Sequence, residues 1–343
     1  MAMVPSPHLK IVELGPGVFA AIRTEPLSLA VNSNSLIIVR DTDVVVVDAQ
    51  FTQLATQETI AAIRKITDKP VRYVINTHWH DDHLAGDKVY QDSFPSVRFV
   101  MQENTATDLV KLGAPNRKNQ VEGIPPVVDR FEHLLSMGLG MDSTPVSPLE
   151  RSALESAIRI ARQYVKEAPG FRAVTATDTV QRRMTLGQGK NRIDILWFGN
   201  GNTRGDLIVH LPSRGVVATG DVIDAPVPFA FNSYPASWIN VLDSLLALQP
   251  RVIVPGHGPV MHDLDYVRSV RDWLSRINRE ARTSVTRGDS LEAALKRITL
   301  DDVRLCITKD EKWMNSLFRS FFVRPAVQAA LEQAGGKAVS GER

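Results

Sequence analysis

Short apolar runs separated by turn residues fill the first hundred positions. Residues 11–14, 18–22, 35–39 and 44–48 are rich in Val and Ile and bounded by Gly, Pro, Asn or Asp, which predicts strands. The gaps between them are of hairpin length, so this early sheet is expected to be largely antiparallel. Residues 52–67 break the rhythm. There Leu54, Ile60, Ile63 and Ile66 recur at near-helical spacing, as on one face of an amphipathic helix. Residues 71–77 read as a buried strand, 84–91 as the start of a helix, and 97–101 as a further strand.

Between Glu103 and Gly170 the pattern turns helical, with Pro/Gly breaks. Residues 104–112 and 127–137 are helical candidates. Ser147-Pro148-Leu149-Glu150 has the composition of a helix start, with serine as N-cap, proline at N1 and glutamate at N3, and leads into 149–166. No flexible linker brackets this block, so 103–170 is expected to be an insertion that shapes or covers a site. Strand-like runs resume at 181–186, 192–198, 206–211 and 216–219. Residues 237–248 are helical, 251–254 a short strand, and 263–282, 290–297 and 311–333 a helical C-terminus. Strand–helix–strand order occurs once on each side of the insertion, which predicts two similar half-units facing one another. The organisation expected is one domain over 10–262 and a helical extension, 263–343, packed on or beside it or offering a homodimer surface.

Composition narrows the function. A hydrophobic content of 43% and a charged content of 23% are those of a soluble globular protein. A formal net charge of +2 argues against nucleic acid or anionic membrane as a partner. No apolar run reaches the roughly 18 residues that a membrane span needs. Residues 1–10 hold two prolines and no apolar stretch of the signal-peptide kind. The chain is therefore expected to be cytoplasmic as written, or periplasmic or secreted if a leader has been removed. A single cysteine, Cys306, excludes a disulfide framework and a thiolate metal cluster. Its apolar surroundings, 303–307, predict a buried, inert thiol.

The chemistry is concentrated in Thr77-His78-Trp79-His80-Asp81-Asp82-His83, which holds three of the eight histidines. A helix would scatter these residues around its circumference, whereas a loop leaving a strand can turn them toward one point. Imidazole and carboxylate are ligands that zinc and its neighbours favour, so a metal site is expected here. Three later loops carry candidate ligands beside glycine, which lets the backbone turn sharply. They are 198–206 with Asn202, Ala218-Thr219-Gly220-Asp221, and Val254-Pro255-Gly256-His257-Gly258-Pro259. Asp48, at a strand end, is suited to hydrogen-bond the second nitrogen of a ligand histidine or simply to end its strand. Asp81 is expected beside the ligands, or simply exposed, rather than among them. Trp79 is expected to point out of the loop toward substrate, and Phe229 and Phe231 to form an apolar pocket wall, with core packing as the alternative.

His78-x-His80-x-Asp82-His83, a Gly-Asp after a strand and a late Gly-His-Gly together resemble the metallo-β-lactamase-fold hydrolases, over about Val12 to Val260. Asn32-Ser33-Asn34-Ser35 and Val46-Val47-Asp48 match strand ends common in that family. The resemblance implies an α+β chain folded as a four-layer αββα sandwich, with the helical insertion and helical C-terminus added. It also implies two metal positions, for Zn2+ or another divalent ion. His78 and His80 would hold one, Asp82, His83 and His257 the other, and Asp221 would bridge them.

Where the family has a third histidine in Gly-His-Thr-x-Gly-Asp, this chain has Gly201-Asn202-Thr203-Arg204-Gly205-Asp206. An amide oxygen is a neutral and harder ligand than imidazole, so the His78/His80 position is expected to bind metal more weakly or to tolerate a different metal, with Asn202 as ligand or water-mediated contact. The activity implied is cleavage of an ester-like, thioester, lactone or amide bond, β-lactams included, in a small molecule by a metal-bound hydroxide. Asp82 and His257 are the residues expected closest to that chemistry. Aspartate at 221, where dedicated zinc β-lactamases generally carry cysteine or serine, points away from a specialised β-lactamase. A catalytically degenerate metal-binding protein and a single-iron oxygenase of the same fold are the alternatives.

Overall fold

A computed structural model describes residues 8–28 and 31–339, so most of the 1–10 stretch lies outside the described residues. The chain divides into two compact units between Thr179 and Val180.

The first unit opens as a meander of β1 (Leu9–Gly15), β2 (Val18–Arg23), β3 (Ser35–Val39) and β4 (Val44–Val47). These strands pair antiparallel in chain order, as their spacing predicts. Helix α1 (Gln53–Ile66) then crosses over to β5 (Val71–Ile75), which lies parallel to β4. A parallel pair needs a crossover of this kind, and the helix supplies it. Two short helices, α2 (Asp81–Leu84) and α3 (Asp87–Ser93), lead to β6 (Arg98–Gln102), parallel to β5. All four valines of β4 are buried, as expected of a strand covered on both faces. Val44, Val46, Val71, Val74 and Phe99 form a core with Ile60 and Ile63 of α1.

Thr52 caps α1, its hydroxyl accepting from Ala55 N at 3.2 Å. The buried face is Ala55, Thr56, Thr59, Ile60 and Ile63, whereas Leu54 is 41% exposed. Six residues before Ile60, Leu54 stands about 120° off that face at 3.6 residues per turn.

The helical block comprises α4 (Glu103–Asp108), a π-turn, α5 (Ala114–Ser136) and α6 (Pro148–Glu167). Ser147 caps α6 as its sequence predicts, accepting from Glu150 N at 3.1 Å. Helix α5 differs from expectation, because it runs through Pro125 and Pro126 instead of starting after them. Proline removes donors inside a helix, but α5 packs on α6 and buries Val128, Phe131 and Leu134 beyond the break. Strand β7 (Asp178–Val180) ends this sheet, whose order is β1-β2-β3-β4-β5-β6-β7.

In the second unit β8 (Arg183–Leu186), β9 (Ile193–Trp197), β10 (Leu207–Leu211) and β11 (Val216–Ala218) form another antiparallel meander. Helix α7 (Pro235–Ala247) crosses to β12 (Val252–Val254), parallel to β11, giving the order β12-β11-β10-β9-β8. Each unit thus repeats one plan, a meander ending in a helix-linked parallel pair.

Helix α8 (Asp265–Arg287) packs on α7 and buries Val267, Val270, Leu274, Ile277 and Ala281. It is followed by α9 (Leu291–Arg297), α10 (Asp301–Thr308), α11 (Lys312–Leu317), a π-turn at Phe318–Val323, and α12 (Arg324–Ala334), which also packs on α8. The apolar run around Cys306 is α10, and there the thiol is exposed rather than buried. Helical periodicity turns Val303 and Thr308 inward and leaves Leu305 and Cys306 in solvent. Among the described residues no helix is long and apolar enough to cross a membrane.

Candidate metal centre

The candidate ligands leave the carboxyl ends of strands. In the first unit β4 ends at Asp48, and β5 delivers the loop Thr77–His80 and, directly after it, the first turn of α2 with Asp81, Asp82 and His83. Asp48 adopts the left-handed conformation, φ 61°, which an aspartate tolerates better than most residues. Its carboxylate, buried at 2% exposure, collects three donors. Thr77 N donates to Oδ1 at 2.7 Å, the Thr77 hydroxyl to Oδ2 at 2.9 Å, and His83 Nδ1 lies 2.8 Å from Oδ2. The Thr77 hydroxyl is also 3.0 Å from His78 Nδ1.

This network assigns the tautomers. The Thr77 hydroxyl spends its proton on Asp48 and accepts one from His78 Nδ1, while His83 donates from its own Nδ1. On both rings Nε2 is then the lone-pair nitrogen, the form a metal requires. His78 Nε2 lies 2.9 Å from His80 Nδ1, so two imidazole nitrogens converge on one point. The Asp82 carboxylate lies 3.5 Å from His83 Nε2. Nitrogen and oxygen donors meeting in this way fit a divalent cation such as zinc. Asn76 steadies the loop from behind, donating to His83 O at 3.2 Å and to Asp87 Oδ1 at 3.0 Å. Burial pushes the Asp87 carboxyl well above the usual range, and the Asp48 charge adds to this.

Asp81 is not exposed, and its carboxylate engages the helical block. Arg117 of α5 forks onto both oxygens, with Nε 3.0 Å from Oδ2, and the Tyr164 hydroxyl of α6 donates to Oδ2 at 2.7 Å. Burial pushes the Asp81 carboxyl up from its ordinary value, with the Arg117 guanidinium opposing that shift. Trp79 corrects the expectation of an outward side chain. It is buried at 3% exposure and packs with Leu84, Met101 and Leu109. With His78 and His80 both turned to the donor set, the residue between them faces the other way, into the core.

In the second unit β11 ends at a short 3-10 turn, Gly220–Val222, that presents Asp221. Asp221, Asp224 and His257 bring one ligand atom each to within 4.8 Å of one another. His257 Nε2 lies 3.8 Å from Asp221 Oδ1, and Asp224 accepts from His257 N at 3.1 Å. Asp224 is a residue the sequence analysis missed. Its signal would have been a second carboxylate three positions after Asp221.

Asn202 is fully buried in the loop after β9. Its Nδ2 donates to Phe229 O, which leaves Oδ1 as the buried atom without a hydrogen-bond partner among the described residues. The amide therefore offers an oxygen. Phe229 is half-buried and Phe231 is 38% exposed; their rings lie 4.7 Å apart and are joined by Phe321 of the C-terminal π-turn at 5.6 and 5.9 Å.

Residues 29–149 match the family model described as the Metallo-beta-lactamase superfamily. The two mixed sheets with flanking helices also match solved metallo-β-lactamases. One, from Pontibacter korlensis, superposes with a TM-score of 0.55 at 18% identity, covering 78% of this chain and 99% of that one. The DIM-1 metallo-β-lactamase exposed to ceftazidime gives 0.52 at 18% identity, covering 78% and 97%. At this identity the likeness shows the fold. The family match is confined to residues 29–149, and the solved structures show that the chain has the metallo-β-lactamase fold. Over 277 residues the chain is 22% identical to the linear primary-alkylsulfatase of Pseudomonas sp. (strain ATCC 19151), taking in 75% of this chain and 48% of that protein. The chain thus spans about half the length of the curated relative it matches.

Proposed function

We propose that this chain is a metal-dependent hydrolase that cleaves an ester-like bond in a small molecule. The observation that carries the proposal is the Asp48–Thr77 network, which sets His78 and His83 in their metal-binding tautomers. Within the first unit we assign His78, His80, Asp82 and His83 as ligands; within the second, Asp221 and His257 are the donors we assign. Asn202 offers an amide oxygen in place of an imidazole, and zinc is the ion whose preferences this donor set suits best.

A divalent ion so held supplies Lewis acidity and a water acidified to a pKa of about 7. The chain's own part is to fix those donors and to hold a carboxylate, Asp82, for orienting the attacking water. The half-exposed Phe229 and Phe231 offer an apolar surface to the substrate. The bonds to test are carboxylic ester, thioester, lactone and amide. The likeness to an alkylsulfatase adds alkyl sulfate to the panel. The substitution at Asn202 favours one rival, a protein that binds metal without hydrolysis.

Elemental analysis of protein purified without chelators is expected to find at least one transition-metal equivalent, and chelation is expected to abolish hydrolysis of at least one substrate of the panel. Protein that holds no stoichiometric metal and takes none up would sink the proposal. Metal-loaded protein inert toward every substrate would favour the rival.

A further inference from the structure

The sequence places Asp81 between His80 and Asp82, two residues assigned as metal ligands, yet its own carboxylate is held by the helical block. Asp81 is 4% exposed, Arg117 8% and Tyr164 3%. Arg117 meets the carboxylate with two parallel N–H donors, a geometry that fixes orientation as well as distance. Both partners are themselves braced. The Arg117 guanidinium lies 3.4 Å over the Phe171 ring, and Tyr164 stacks on Phe51 at 4.2 Å with an interplanar angle of 6°. A second attachment reaches the other side of the loop's support. Glu167, at the end of α6, accepts from Gln53 N at 2.6 Å and Leu54 N at 3.1 Å, at the start of α1 and just past Asp48. The block therefore grips both segments that carry or orient ligand nitrogens.

Stability alone does not account for this arrangement. A buried ion pair seldom holds a fold better than apolar side chains of similar size. Elsewhere the same block packs through Phe131, Leu154 and Ile158. What an ion pair with fork geometry adds is a single orientation for the carboxylate, and so for the backbone between the two flanking ligands.

We propose that Arg117 and Tyr164 are positioning residues for the metal loop, holding Asp81 so that metal binding and the order of the helical block are coupled. The inference rests on the metal-dependent reading above. Coupling of this kind is reciprocal: whatever the block contributes to metal affinity, bound metal returns to the block.

The test uses the full chain, zinc titrated against a chromophoric chelator, cobalt absorption spectra, and hydrogen exchange across α6 with and without zinc. Tyr164→Phe removes one hydroxyl and keeps the ring stack, and Arg117→Lys keeps the charge and loses the fork. Each is expected to weaken zinc binding by about 10–100-fold, the range for partners that orient metal ligands. Each should also alter the cobalt spectrum and shrink the zinc-induced slowing of exchange across α6 seen in the unmodified protein. Variants with unchanged thermal unfolding, unchanged zinc affinity and an unchanged cobalt spectrum would overturn the inference. Because Tyr164→Phe leaves packing intact, the result does not depend on the Arg117 variant folding. Failure of the unmodified protein to bind zinc would strike the hydrolase reading itself, whereas normal binding by both variants strikes only this coupling.

Discussion

Asp48→Asn is expected to weaken metal binding at the histidine loop by about 10–100-fold while leaving the fold in place. Asparagine tolerates the left-handed φ of 61° at this position, so the backbone has no reason to move. The amide oxygen can go on accepting from Thr77 N, 2.7 Å away. The other oxygen becomes an NH2 group, and it faces the Thr77 hydroxyl at 2.9 Å and His83 Nδ1 at 2.8 Å. A donor there requires His83 to accept at Nδ1 and carry its proton on Nε2, the tautomer that cannot ligate. Asp48→Ala is harsher, since it strands three buried donors at about 1–3 kcal/mol each. Zinc competition and thermal unfolding separate the two variants. The asparagine protein should lose affinity at nearly normal stability, and the alanine protein should lose both. Normal zinc affinity in Asp48→Asn would mean that His83 is not set through Asp48.

The parts of this site that were legible in the sequence are those written in local order. The strands announce themselves as Val/Ile runs, and the ligand loop as histidine and aspartate crowded after β5. Asp48 could be placed beside a ligand because it ends a strand next to that loop. The helical cap at Ser147 is equally local. What escaped depends on distant partners or on which way a side chain faces. Asp81 meets Arg117 and Tyr164 at separations of 36 and 83 residues, and nothing in its neighbourhood announces either. A loop has no periodicity from which to read a face, so nothing local marks Trp79 as inward. The five-residue apolar run around Cys306 does not by itself distinguish a buried strand from a turn of helix in which Leu305 and Cys306 face solvent. Asp224 escaped because its role arises only where the 3-10 turn brings it to His257 N.

Gly256→Ala is the sharpest test of the second donor set. A Cβ at this position would stand 2.0 Å from Asp221 Oδ1, 2.5 Å from the Gly220 carbonyl carbon and 2.7 Å from its oxygen. Such distances require something to move, and the Gly256 backbone is poorly placed to do so. Its N–H is shared between Gly220 O at 2.7 Å and Ile223 O at 3.0 Å, which ties the loop after β12 to the turn after β11. The carboxylate of Asp221 is therefore the group expected to give way, leaving the set it forms with Asp224 and His257. Overpacking of this kind destabilises by about 1–3 kcal/mol, and misplacing a reacting group by roughly 1 Å can lower a rate about 100-fold. The expected result is a lower unfolding temperature, a loss of bound metal and a fall in any hydrolysis detected. Gly123→Ala is the control, since nothing lies within 4 Å of its added methyl and alanine favours the helix α5 in which it sits. A Gly256→Ala protein with full metal content would require Asp221 to be displaced without consequence, and that would remove it from the ligands.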